Sequence, residues 1–233
     1  MKWLSEWGED LLSLFYPRLC LACGHVRPPA RELICLSCQY KLPQTHFHEE
    51  EENGFTERFW GRIRLEAGAA LYYFVKGGRV QHLIHQLKYH GKRQVGRTLG
   101  HYYGRQLSGS SFFKEVELIV PVPLHPRKLH RRGYNQSALF ASGLSETMGV
   151  PWMKGVLRRR TFTSTQTRKS RLERLENVLD AFELSRPQAI KGRHVLLVDD
   201  VLTTGATLEA CAMRLQEAPG VKVSMATIGI AQL

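Results

Sequence analysis

Apolar residues recur along this chain in two rhythms, first at helical spacing and then in short unbroken runs. Leu4, Trp7, Leu11, Leu12 and Phe15 form one stripe, which predicts an amphipathic helix that ends before Pro17. Its apolar face is expected to pack on the rest of the chain, a partner or membrane surface being the other use of such a face. Residues 69–75 read as a strand closed by Gly77 and Gly78. Residues 80–107 read as a helix with Leu83, Ile84, Leu87, Val95 and Leu99 turned inward, weakened or interrupted by Gly91, Gly96, Gly100 and Gly104. Further strands are expected at 116–123, 150–157, 195–198 and 221–230, and helices at 135–148, 171–179 and 206–215. Strands that alternate with helices predict an α/β fold, a mainly parallel sheet flanked by helices on both faces.

The 233 residues suffice for one sizeable domain over 65–233 and a small module over 1–42, joined by a polar, acidic linker at 43–64. No run reaches the roughly 18 apolar residues of a membrane span. The amino end carries acidic residues ahead of its apolar stretch and no small-residue cleavage site, so a cytoplasmic protein is expected. The formal charge is +12 and the pI near 9.7. That balance favours nucleic acid, a multiply phosphorylated substrate or an anionic surface, and does not choose among them. Basic residues gather at 127–132 and 158–174, whereas 49–52 is acidic.

Four of the five cysteines form two pairs, Cys20-x-x-Cys23 and Cys35-x-x-Cys38. In a reducing compartment two such knuckles predict a tetrahedral zinc site that stabilises a module too small for a core of its own. A redox dithiol or a disulfide pair is the competing reading. Cys211 reads as a small buried residue of a helix.

Residues 195–207 run Val-Leu-Leu-Val-Asp199-Asp200-Val-Leu-Thr203-Thr204-Gly205-Ala206-Thr207. An apolar strand ends in two carboxylates, and a hydroxyl- and glycine-bearing turn opens a helix. Helix-start amides and threonine hydroxyls suit a phosphate, and carboxylates accept hydrogen bonds from neighbouring ribose hydroxyls. Side-chain alternation predicts different jobs for Asp199 and Asp200, one lining a pocket and one bracing it. The plain alternative is a strand–turn–helix junction with Thr207 as a cap. This string resembles the phosphoribosyl pyrophosphate (PRPP) motif of type I phosphoribosyltransferases.

Other segments add to it. Pro121-Val-Pro123-Leu124-His125-Pro-Arg127-Lys leaves a buried strand through a proline-constrained turn that suits pyrophosphate, a rigid connector being the alternative. Arg131-Arg132-Gly-Tyr-Asn-Gln136 reads as a mobile lid or a solvated basic loop. Residues 157–166, continuing through Arg171, Arg174 and Asn177, suit a second polyanion or single-stranded nucleic acid running over Phe162. His82, His85 and His101 match no ligand pattern and read as surface or packing residues.

Together with Leu87-Lys88-Tyr89, Thr165-Gln166 and the paired cysteines, these segments resemble the ComF family, in which a zinc ribbon precedes a type I phosphoribosyltransferase-like domain. The larger domain is also similar to the transferase half of glutamine–PRPP amidotransferases. Position two is Lys2 rather than their nucleophilic cysteine, so amide transfer from glutamine is not expected. The resemblance implies PRPP with Mg²⁺, and structural Zn²⁺ on Cys20, Cys23, Cys35 and Cys38. It assigns Asp199 and Asp200 to the ribose, with Arg132 acting on charge that develops in any transfer. Thr203, Thr204, Gly205, Ala206 and Thr207 fall to the 5′-phosphate, and Pro123, Leu124, His125, Arg127 and Lys88 to the pyrophosphate side. It further implies a role in natural transformation, with single-stranded DNA, a competence helicase and recombination mediators as partners, and leaves an oligomer open. The other function is a working transferase that moves phosphoribosyl from PRPP to a nitrogen nucleophile, for which no acceptor pocket is legible.

Overall fold

The structure is a computed structural model that describes residues 18–30, 32–159 and 180–232. The stripe at 4–15, the expected helix at 171–179 and Arg160, Phe162, Thr165, Gln166, Arg171, Arg174 and Asn177 lie outside the described residues. In chain order the strands are β1 (Gly68–Phe74), β2 (Leu118–Pro121), β3 (Leu157–Arg159), β4 (Phe182–Leu184), β5 (His194–Leu202) and β6 (Lys222–Ala231). The α-helices are α1 (Leu36–Lys41), α2 (Arg79–Tyr89), α3 (Gln94–Gly109), α4 (Pro126–Arg132), α5 (Gln136–Met148) and α6 (Ala206–Gln216).

The strands β1, β6, β5 and β2 lie side by side in that order, each pair parallel, and β3 and β4 form an antiparallel ribbon. Consecutive residues Val195, Leu196, Leu197 and Val198 are all buried, so β5 is covered on both faces, as a parallel sheet requires. The strand expected at 195–198 extends through both aspartates to Leu202. The one expected at 150–157 is not formed there. Trp152 makes a single bridge to Ile119, Gly155 turns the chain at φ +79°, and the regular ribbon begins only at Leu157.

The helix expected over 80–107 is two helices, separated by a turn in which Gly91 takes φ +68°. The later glycines do not mark weakness. They are the surface on which α3 meets α5. A Cβ on Gly100 would overlap the Phe140 carbonyl oxygen and lie 2.9 Å from Gly143 Cα, and one on Gly96 would lie 2.9 Å from Leu139 Cβ. Glycine is thus retained inside a helix because two backbones touch, a gain that offsets its conformational cost.

Residues 43–64, expected as a polar, acidic linker, are packed in part against the larger domain. The run at 49–52 is exposed, but Phe47, Phe55 and Phe59 are buried. The Asn53 carboxamide organises the turn, with Nδ2 donating to the carbonyls of Phe47, Glu50 and Gly68 at 3.0–3.1 Å. Its Oδ1 accepts from the Phe55 and Thr56 amides at 2.9 and 3.2 Å. Just before it, Tyr73 N donates to the Pro43 carbonyl at 2.8 Å, which fastens the segment to the outer edge of β1.

Gly100→Ala is expected to lower the unfolding free energy by about 2 kcal/mol, because neither helix can back away. Gly109→Ala, where no atom lies within 4 Å, should leave it within about 0.5 kcal/mol of wild type. Urea denaturation of the two variants checks both.

Candidate functional site

Parallel pairing of β2 with β5 sets Pro121 against Val198, and Val122 N donates to the Val198 carbonyl at 2.9 Å. The chain therefore leaves β2 beside Asp199, at the carboxyl ends of two adjacent strands, where open α/β sheets hold ligands. Pro123, Leu124 and His125 are half-buried along this exit, and Arg127 is exposed. The expected proline turn is in fact a helix start, since His125 Nδ1 accepts from Arg127 N at 3.2 Å and Pro126 occupies the first position of α4.

The two aspartates have different surroundings, as side-chain alternation predicts. The Asp199 carboxylate accepts from Ser137 Oγ at 2.7 Å and from Asp200 N at 2.8 Å. Loss of water, then the charge of Asp200 beside it, pushes its carboxyl up to about 7. Asp200 instead receives Lys88 Nζ at 2.8 Å, with both side chains partly buried. Lys88 reaches it from the last turn of α2.

Thr203 and Thr204 are exposed at the mouth of the next loop. Gly205, at φ +85°, is the residue that opens α6, and no side chain caps the helix, so Thr207 is not a cap. Left-handed backbone excludes most residues from position 205, and a Cβ there would also sit 3.1 Å from Phe59 Cε1. The first amides of α6 have no acceptor within the helix and face the same end of the sheet as the aspartates.

Arg132 stays close to this cluster. Its Nη1 donates to Gln136 Oε1 at 2.9 Å, and its guanidinium lies 5.2 Å above the Tyr89 ring. Tyr134 Oη donates to the Leu87 carbonyl at 2.5 Å, while Asn135 caps α5 and donates to the Val122 carbonyl at 2.9 Å. The segment expected as a lid is therefore a helix end and a helix start, tied to α2 and to the β2 exit. Two buried donors here, Arg132 Nε and Gln136 Nε2, have no partner among the described residues. That deficit of acceptors fits an anionic ligand.

The sequence pattern does not single out Ser137, one residue beyond the Arg131–Gln136 segment, or Arg58, Phe59 and Arg62, which lie within residues 43–64. Arg58 donates to the Thr203 carbonyl at 2.5 Å and to the Ala231 carbonyl. Arg62 forms a two-pronged pair with buried Glu209 of α6, its Nε 3.0 Å from Oε1. The signal available was the mixture of aromatic and basic residues directly after the acidic run.

At the amino end the sulfurs of Cys20, Cys23, Cys35 and Cys38 all lie within 4.8 Å of one another. The cysteines are free thiols in this structure, not disulfides, and the Ala22 and Cys35 amides point at Cys20 Sγ at 3.4 and 3.3 Å. Four thiolates with amide support fit zinc and close its shell, so the metal would hold the knuckles together and leave no open position for chemistry. His25 is exposed, and His82 serves packing, its Nδ1 3.2 Å from the Ala22 carbonyl. His101 lies on Glu146 and Cys211 is buried.

The sequence profile of the phosphoribosyl transferase domain matches residues 135–231. The DNA utilization protein YhgH of Escherichia coli K12 is 35% identical over 139 residues, which cover 57% of this chain and 59% of that protein. Competence protein F of Haemophilus influenzae is 34% identical over 139 residues, covering 58% of this chain and 61% of its own length. Competence protein ComFC of Bacillus subtilis is 24% identical over 206 residues, 85% of this chain and 72% of that one. The matched stretch thus spans about three-fifths of the first two relatives. A solved structure of the allosteric regulatory enzyme of purine biosynthesis overlays on 56% of this chain and 26% of its own, with 22% identity and a TM-score of 0.39. Residues 135–231 are thus similar to a phosphoribosyl transferase domain, and the chain is similar to proteins named for competence and for DNA utilization, in agreement with the ComF resemblance.

Because Asp199 holds its proton up to about 7 when folded, against 3.8 otherwise, its contribution to stability is full below pH 3.8 and is lost as pH rises through 7. Melting curves of wild type and Asp199→Asn from pH 5 to pH 8 should show the variant gaining on wild type as pH rises. Removal of metal with a strong chelator is expected to lower the melting temperature by about 5 °C or more. Elemental analysis should find one zinc per chain in wild type and none in Cys35→Ser.

Proposed function

We propose that this protein binds PRPP together with Mg²⁺ at the ends of β2 and β5, and that it serves the uptake and handling of single-stranded DNA in the cytoplasm. The observation that carries the reading is the division of labour between Asp199, held by Ser137, and Asp200, held by Lys88, beside an uncapped helix start. Adjacent ribose hydroxyls are donors that match the open carboxylate oxygens, and the 5′-phosphate matches the Thr203 and Thr204 hydroxyls and the α6 amides. Lys88, Arg127 and the Arg132 guanidinium, whose Nε has no partner among the described residues, supply cations for the pyrophosphate side. The names of the relatives support the DNA role, and a basic surface suits a polyanion.

PRPP with Mg²⁺ is expected to raise the melting temperature of wild type in proportion to log concentration. Asp200→Ala should abolish the rise, whereas ribose 5-phosphate, which lacks the pyrophosphate, should give a smaller one. A wild-type protein that does not respond to PRPP would remove the reading.

A further inference from the structure

The charge of this chain is not spread evenly. Between Ala67 and Lys114 there are eight Lys or Arg and no Asp or Glu, and between Leu118 and Ser145 there are four and again none. Together these two stretches match the whole formal excess of +12. In the fold they become α2, α3, α4 and the start of α5, so the excess lies on one set of neighbouring elements.

Where α2 meets α4 this cationic surface also carries aromatic rings. Tyr89 is 57% exposed, an unusual position for a large ring at the end of a helix. His85 lies 4.6 Å from it and 5.2 Å from His90, and both histidines are exposed. Arg132 covers part of Tyr89, and Arg93 lies 4.8 Å over Tyr134. The ridge therefore alternates rings and guanidinium groups, and Tyr89 follows Lys88 directly, so it borders the sugar-phosphate site.

We infer that Tyr89, flanked by His85 and His90, is a stacking platform for the bases of single-stranded DNA, whose phosphates follow the exposed Arg127, Lys128 and Arg131 of α4. Flat π-faces accept any base, and the cations track the backbone, which gives affinity without sequence preference. Duplex DNA keeps its bases stacked inward and cannot use the ring. The inference rests on the proposed DNA role and adds to it a surface and a mode of binding.

Fluorescence anisotropy with a labelled 20-mer of thymidine tests it. Tyr89→Ala should weaken binding about tenfold, with the dependence on salt unchanged because no phosphate contact is lost. Tyr89→Phe and Tyr89→Trp should keep wild-type affinity. Arg127→Ala with Lys128→Ala should lower the slope of log affinity against log salt by about 1.4. Affinity for a hairpin duplex should be indifferent to Tyr89→Ala, and equal melting temperatures show that the variants are folded. If wild type binds the 20-mer and folded Tyr89→Ala binds it equally well, or loses duplex binding equally, the platform is wrong and the DNA role stands. If wild type binds no single strand, both fail together, whatever the response to PRPP.

Discussion

Two carboxylates in succession at the end of a buried strand are the constraint to which the rest of the site answers. Like charges about 4 Å apart repel by about 4 kcal/mol at an effective dielectric of 20, a large part of a domain's net stability. The fold avoids that cost by sending the side chains into different surroundings. Asp199 is supported by the Ser137 hydroxyl and tends toward its protonated form, while Asp200 is neutralised by Lys88. Each partner comes from a different helix, so α5 and α2 must both be docked correctly before the pair can exist. The glycine face between α3 and α5 is part of the same requirement, because it fixes where α5, and with it Ser137, comes to rest.

Much of this was legible from the chain alone. The all-apolar run before Asp199 predicted a buried parallel strand, and the alternation of side chains predicted that the two aspartates would diverge. The cysteine spacing predicted a cluster that folding brings within metal-binding reach. What stayed hidden depends on tertiary contact. Gly96, Gly100 and Gly104 look like helix defects until a second helix lies against them. The segment at 43–64 looks like a linker because Glu49, Glu50, Glu51 and Glu52 dominate its composition, yet Asn53 and three phenylalanines decide its fate. Ser137 and Arg58 carry no local signature at all, since a serine at a helix start and an arginine in a polar stretch are ordinary. Their meaning comes from Asp199 and Thr203, 62 and 145 residues away.

The cysteine module and the candidate pocket are not independent parts. His82 reaches the Ala22 carbonyl within the knuckle, and Lys88 reaches Asp200 in the pocket, and both stand on α2. Six residues separate them, about 9 Å along a helix. A rigid helix of this kind passes the position of one end to the other, so the knuckle acts as a footing for Lys88. A metal held by the four cysteines would then have a role that does not require it to touch a ligand. It would steady the helix on which half of the carboxylate pair depends.

The same helix also joins the two kinds of anion that the protein is proposed to meet. Its inward residue Lys88 is matched to one carboxylate and one small phosphorylated ligand, while its outward residue Tyr89 faces a long cationic surface. A single sugar phosphate needs no such extent of positive charge, because a few aimed donors satisfy it. A strand of nucleic acid needs no buried carboxylates, because it is recognised through its phosphates and the faces of its bases. The structure holds both features side by side on adjacent residues. Lys88 is held by Asp200 and Tyr89 is the next residue of the same last turn, so a pocket ligand that competes for Lys88 acts one residue away from the proposed platform.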